Sequence, residues 1–239
     1  MTQRNALIIS AHSADFVWRA GGAIALYAAR GWNVHVLCLS FGERGESAKM
    51  WRQPGMTLER VKQARREEAQ RAADILGASV SFMDCGDYPL RVSDEALFEI
   101  VDAYRKLRPE FVLTHSFKDP YNFDHPLANH LAMEARIVAQ AHGHNPGQPV
   151  IGAPPVFLFE PHQPEQCEWK PQFFLDITPV WERKRAAFEA MAAQEHLWEY
   201  YTRVALQRGA QAARNSGRKV QYAEAYQCVY PRVSDDFLG

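Results

Sequence analysis

Short apolar runs alternate along the chain with longer stretches whose apolar residues recur at helical intervals. Residues 6–10 (ALIIS), 33–40 (NVHVLCLS), 79–83, 111–115 (FVLTH), 156–160 (VFLFE) and 173–177 (FFLDI) are strand-like. Each is too short and too apolar to be an independent helix. Between them the pattern predicts helices over 15–30, 58–76, 94–107, 124–141 and 179–197, followed by a mixed C-terminal segment. Residues 58–76 are the clearest case. Val61, Ala64, Ala72, Ile75 and Leu76 supply one apolar stripe with charges between them, and Gly77 is placed to end the helix. Ser93 is an expected N-cap, and Arg108-Pro109 an expected break.

Strands alternating with helices predict an α/β fold: a Rossmann-like, mostly parallel sheet with helices on both faces. No internal repeat or low-complexity stretch divides the 239 residues, so one domain over 1–239 is expected. Ligands of such sheets bind beyond the C-terminal strand ends. That directs attention to four loops, AHSAD, FGERGE, HSFKDPYNFDH and EPHQPE.

Composition narrows the function. The chain is 47% apolar, enough for a substantial core, and its formal net charge is −1. No overall basic field draws it to nucleic acid or an anionic membrane. No apolar run approaches the roughly 20 residues of a membrane helix. The N-terminus enters a strand-like run at once, without the pattern of a secretory signal. The four cysteines are far apart and form no CxxC, which suits reduced thiols in a cytoplasmic protein without a thiolate zinc site. The six tryptophans and the run HLWEYY suit either an interface between copies, as in a homo-oligomer, or a core.

His12 and Asp15 stand three residues apart after the first strand. An imidazole nitrogen and a carboxylate oxygen at that offset suit a metal ion; a polar loop histidine beside an N-capping aspartate is the plainer alternative. Asp124, His125 and His130 follow the fourth strand. Five residues of helix turn His130 about 140° away from His125, so His125, nearer the loop, is the better ligand and His130 a packing or solvent-facing side chain. His12, Asp15 and His125 make three ligands with open positions, the pattern of a catalytic rather than a structural zinc site. Asp124 suits orienting a ligand or capping the helix. In FGERGES, Glu43 and Glu46 could transfer protons, or belong to a solvated turn. His162, after FLFE, is either an acid–base group or a surface histidine. His142 and His144 read as solvated.

These motifs resemble those of the LmbE-like, or PIG-L-type, zinc deacetylases. AHSADFVWRAGG is similar to the opening AHPDDxxxxxGG of that family, FGERGES to its second glycine-rich loop, NFDH to its HPDH motif and RGAQAARNSGRKVQYAEAYQ to its tail. The resemblance covers essentially the whole chain. It implies a Rossmann-like fold and one zinc ion on His12, Asp15 and His125. Two positions depart from it. The first aspartate of HPDD, the deacetylases' general base, is Ala14, and the catalytic histidine opening HPDH is Asn122. Neither residue can carry a proton, and each such group is worth typically about 10²–10⁴-fold in rate.

The chain is closer to a branch of the family that instead hydrates a carbon–carbon double bond in an oxo-tricarboxylate from aromatic-acid breakdown. That resemblance makes Glu46 and His162 the expected proton carriers. It makes Arg44, Arg19, Lys118 and Asn122 the expected substrate-binding residues, since arginine suits bidentate carboxylate binding. A zinc amidase acting on an N-acetylated sugar is the second reading, and a non-catalytic binder on the same scaffold the third.

Overall fold

The computed structural model describes residues 3–231 and 233. Seven strands form one sheet in the order β3-β2-β1-β4-β5-β7-β6. They are β1 (Asn5–Ser10), β2 (Asn33–Cys38), β3 (Ser79–Phe82), β4 (Phe111–Thr114), β5 (Val156–Phe159), β6 (Phe173–Asp176) and β7 (Ala223–Cys228). The first five pair in parallel, with Ile8 of β1 opposite Val36 of β2 and Leu113 of β4. β7 runs antiparallel between β5 and β6, so the sheet is mixed at one edge.

Period-two alternation sends successive β1 residues to opposite cores. Ala6 and Ile8 pack with α1 (Asp15–Ala29), α3 (Leu58–Leu76), α6 (Trp181–Glu189) and α7 (Trp198–Ser216). Leu7 and Ile9 pack with α4 (Asp94–Leu107) and α5 (Asp124–Gln140) on the other face. A strand sandwiched in this way must be apolar on both sides, which is why it reads as an unbroken run. A short α2 (Ala48–Trp51) follows the second glycine-rich loop. Gly77 ends α3 in the left-handed region at φ 83°, and the Ser93 hydroxyl accepts from the Ala96 amide to cap α4.

The second of the paired glycines of α1 has a packing cause. A Cβ on Gly22 would lie 2.6 Å from Cγ2 of Ile177, so only glycine lets the helix approach this close.

The C-terminal third departs from expectation. The single helix expected over 179–197 is three pieces: a 3₁₀ turn at Thr178–Val180, α6, and a 3₁₀ segment at Ala192–Leu197 with Gln194 at φ −124°. The break follows from long-range contacts. Glu68 accepts from the Ala193 amide at 2.9 Å, and Arg65 donates to the Gln194 side chain at 2.9 Å. The mixed tail is the long helix α7 followed by β7. Within HLWEYY, Tyr201 is buried and stacks on Trp18 at 5.6 Å, and the half-buried Tyr200 stacks on His162 at 4.2 Å.

The sheet reverses direction of growth at β1 and β4, which lie side by side although β2 and β3 intervene in sequence. Crevices at such reversals collect the loops that follow the strands. Here they bring together His12 after β1, Glu46 after β2, Tyr88 after β3, His115 and His125 after β4, and His162 after β5.

Candidate metal centre and active site

His12, Asp15, Glu46 and His125 each offer one ligand atom, all within 4.8 Å of one another. Asp15 begins α1, whereas His12 lies just before it rather than on the helix. The aspartate folds back: its Oδ2 accepts from the His12 amide at 3.0 Å and lies 3.1 Å from His12 Nδ1. Its Oδ1 lies 3.4 Å from both His125 Nε2 and Arg19 Nε. Glu46 Oε1 lies 3.2 Å from His12 Nδ1.

Each histidine is held from behind by a carboxylate. His12 Nε2 contacts Asp124 Oδ2 at 3.1 Å, and His125 Nδ1 contacts Asp119 Oδ2 at 2.8 Å. Such carboxylate–imidazole pairs fix the tautomer and direct the other nitrogen at a cation. Asp124 is itself tied down by the amides of Tyr88 and Leu90 at 2.9 and 2.8 Å, so it orients His12 rather than capping α5. Among the described residues, His125 Nε2 and Glu46 Oε2 are buried without a hydrogen-bond partner. Orphaned buried atoms are costly, and these two belong to the same cluster. The nitrogen and oxygen donor set, with two orphaned atoms and two backing carboxylates, fits a divalent cation.

The electrostatics agree. Burial alone would lower His12, but Glu46, Asp124 and Asp15 outweigh it and hold the imidazole well above its usual range. Burial alone would raise Asp15, yet His125, His115 and His12 hold it well below the carboxylate range. The cluster is a field that favours positive charge.

The cluster opens into a cavity of about 490 Å³, lined also by Trp18, Arg19, Gly45, Tyr88, Asn122 and His162, among others. Glu46 therefore both joins the cluster and faces the cavity. Burial, then the Arg19 charge, lowers His162 below its usual value. Arg19 lies in the wall, bound to Asp15 and to the Glu160 carbonyl at 2.9 Å. Asn122 donates to the Tyr88 hydroxyl and accepts from the Asp124 amide, both at 3.0 Å. The Tyr88 ring lies so close to Gly45 that a Cβ there would come within 2.1 Å of it, which explains the second glycine of FGERGE.

Two of the expected substrate-binding residues lie apart from these. Arg44 is not among the cavity-lining residues; its guanidinium turns to Glu43 at 3.3 Å and the Asp87 carbonyl at 3.4 Å. Lys118 is not in the lining either and pairs with Glu168 at the surface. Glu43 is fully buried, accepts from the Phe41 amide and is raised by burial. His130 is exposed and faces Glu134 at 3.5 Å.

Sequence reasoning passed over His115 and Asp119. His115 Nε2 accepts from the Ala11 amide at 2.9 Å, and its ring stacks on His125 at 4.3 Å. Burial, then His125, pushes it well below the usual histidine range, and it packs behind the ligand. Its signal was its place as the last residue of the FVLTH run.

Residues 7–136 match the PIG-L family, described as GlcNAc-PI de-N-acetylase, and the chain belongs to that family. A relative from Pseudomonas putida strain KT2440, named 4-oxalmesaconate hydratase, is 66% identical over 238 residues, spanning 98% of this chain and 92% of that one. The crystal structure of GalB, the 4-carboxy-2-hydroxymuconate hydratase of Pseudomonas putida KT2440, superposes with a TM-score of 0.96 at 65% identity. The match covers 98% of this chain and all of that one. N,N'-diacetylchitobiose deacetylase from Pyrococcus horikoshii shares the fold, with a TM-score of 0.79 at 22% identity over 95% of this chain and 84% of that one.

Proposed function

We propose that this chain is a zinc-dependent hydro-lyase. It would add water to the carbon–carbon double bond of 4-oxalomesaconate, giving 4-carboxy-4-hydroxy-2-oxoadipate in gallate and protocatechuate breakdown. The observation that carries the reading is an intact cation cluster beside inert residues at the deacetylases' proton-transfer positions. Ala14 is a fully buried core methyl, and Asn122 is a neutral amide with both ends hydrogen-bonded. The 66% identity to a hydratase supports the same conclusion, and the amidase reading has no proton carrier at those positions.

His12 through Nδ1, Asp15 and His125 through Nε2 would hold the zinc, with Glu46 beside it. When bound, zinc would supply a Lewis acid that holds and polarises the substrate's oxo or enol oxygen. In 4-carboxy-4-hydroxy-2-oxoadipate the water oxygen is bonded to C4, the branching carbon of the former alkene, and the added proton to its neighbour C5, so the reaction requires two proton transfers. Glu46 and His162 share them. Glu46 has a buried, unpartnered Oε2 beside the cluster. His162 is kept neutral near pH 7 by burial and Arg19, ready to exchange a proton. Arg19 and Asn122 stand in the wall to meet substrate oxygens.

The substrate is a small polyanion, and the proposed location is the cytoplasm, consistent with Cys38, Cys85 and Cys167, which form no disulfide among the described residues. We take 1–239 as one domain. The test is loss of enol absorbance on mixing with 4-oxalomesaconate, run beside an acetate-release assay on N-acetylglucosaminyl substrates.

A further inference from the structure

The cavity has a second wall that the cluster does not use. It is built from α2 with the residue after it, Arg52, and from the 3₁₀ segment Ala192–Leu197. α2 is fastened to the Glu46 loop, since Trp51 Nε1 donates to the Glu43 carbonyl at 2.6 Å and the Ser47 hydroxyl to the Gly42 carbonyl at 2.7 Å. Lys49 joins the two halves of the wall through Glu195 at 2.8 Å, which occupies its charge. Arg52 is an exposed residue of the cavity lining, and its guanidinium makes no ion pair or hydrogen bond among the described residues.

Gln194 lines the same cavity, and its orientation is dictated. Arg65 is fully buried and donates through Nη2 to Gln194 Oε1 at 2.9 Å. A guanidinium has no acceptor, so it can face only the amide oxygen. The Gln194 NH₂ is therefore the end left for the cavity that this side chain lines. Arg65 is locked in turn by Glu68 at 2.6 Å and the Phe41 carbonyl at 3.3 Å. By contrast Arg19, the other arginine in the wall near the cluster, is already bound to Asp15 and the Glu160 carbonyl.

We propose that Arg52 and the Gln194 amide bind the carboxylate of the substrate farthest from its oxo group, and so select tricarboxylates. The inference rests on the hydratase reading. With the oxo-acid end of the substrate at the buried cluster, its remote carboxylate requires a donor pair farther along the same cavity, toward its open side. An unpaired guanidinium and a pre-oriented amide supply one. Arg65 is a positioning residue, acting only through Gln194.

The test compares Arg52→Ala, Arg52→Lys and Gln194→Glu with the parent protein at fixed ionic strength, by turnover of 4-oxalomesaconate and by calorimetric titration with propane-1,2,3-tricarboxylate. Arg52→Ala is expected to raise KM and the tricarboxylate Kd about tenfold or more, the size of a lost charge-assisted bond. Its kcat should stay within about threefold. Arg52→Lys should recover part of the loss. Gln194→Glu keeps a partner for Arg65 but presents an anion, and should raise KM at least as far. A KM and a Kd within twofold of the parent in both Arg52→Ala and Gln194→Glu would overturn the proposal, as would a fall confined to kcat. If the metal-loaded parent fails to turn over 4-oxalomesaconate, the hydratase reading fails, and the titration alone decides this site. An unaltered Kd in Arg52→Ala, or no binding by the parent, then overturns it.

Discussion

Asp119 and His125 meet through a 2.8 Å contact between the aspartate Oδ2 and the ring Nδ1, which leaves Nε2 buried, unpartnered and turned into the cation cluster. The aspartate comes from the loop after β4 and the histidine from the first turn of α5, so the seven residues 119–125 build both the ligand and its support. Burial would raise Asp119, but His125 outweighs it and keeps the carboxyl ionised. The ionised form accepts the Nδ1 proton and frees the Nε2 lone pair.

Removing that support should weaken the metal site without unfolding it. Asp119→Ala is expected to lower zinc affinity about 10–100-fold, and His125→Ala to lower it further. A competition titration against a chromophoric chelator, with elemental analysis of the purified variants, reads both. A full zinc complement and parental affinity in His125→Ala would remove it from the ligand set.

Glu46 and His162 are expected to matter to turnover more than to metal retention. Glu46→Ala and His162→Ala should each reduce hydration by about 10²-fold or more. Zinc should remain, because His12, Asp15 and His125 are untouched in both. Near-parental turnover with unchanged zinc in either variant would exclude that residue from proton transfer.

Part of this site is legible in the sequence for a physical reason. Buried parallel strands are continuous apolar runs, so the residues just after β1 and β4 can be located, and His12, Asp15 and His125 stand there. The paired glycines also stand out, although the cause of the second, the contact of Gly22 with Ile177, is a tertiary fact. What stays hidden depends on distant partners. Nothing local in 179–197 announces the break that Arg65 and Glu68 impose from α3. β7 alternates plausibly in AEAYQC, but its antiparallel place between β5 and β6 is set by pairing across the sheet. Arg44 looks like a rim cation until Glu43 and Asp87 are seen beside it, and Lys118 until Glu168 is.

The strand β7 carries a stability prediction. Buried Glu224 accepts from the Gly22 and Ala23 amides at 2.7 and 2.8 Å, from Lys184 Nζ at 2.6 Å and from the Tyr226 hydroxyl at 2.7 Å. Glu224→Ala strands the buried Lys184 ammonium and is expected to cost about 3–5 kcal/mol. Gly22→Ala, which drives a methyl into Ile177, should cost about 1–3 kcal/mol. Thermal unfolding checks both, and a Tm for Glu224→Ala within about 2 °C of the parent would contradict the assignment.

Thiol reactivity should follow pH in a defined direction. Burial, then the charges of Glu99 and Asp84, pushes the half-buried Cys85 thiol up to about 11. The thiolate is the nucleophile, so the neutral form prevails at pH 7 and labelling by iodoacetamide should rise about tenfold per pH unit between 7 and 10. Cys38 is fully buried and its thiol is raised by burial, so it should label only on unfolding. Peptide mapping by mass spectrometry reads each site, and labelling of Cys85 at pH 7 at the rate of a free thiol would contradict the shift.

The most direct test is a spectrophotometric trace of 4-oxalomesaconate mixed with the protein as purified, after chelation, and after zinc is returned. The enol absorbance should fall with the zinc-loaded protein, persist after chelation and fall again on reconstitution, while N-acetylglucosaminyl substrates release no acetate. A zinc-replete protein that leaves the absorbance unchanged, or that releases acetate at an ordinary enzymatic rate on the order of 10 s⁻¹, would contradict the hydratase assignment.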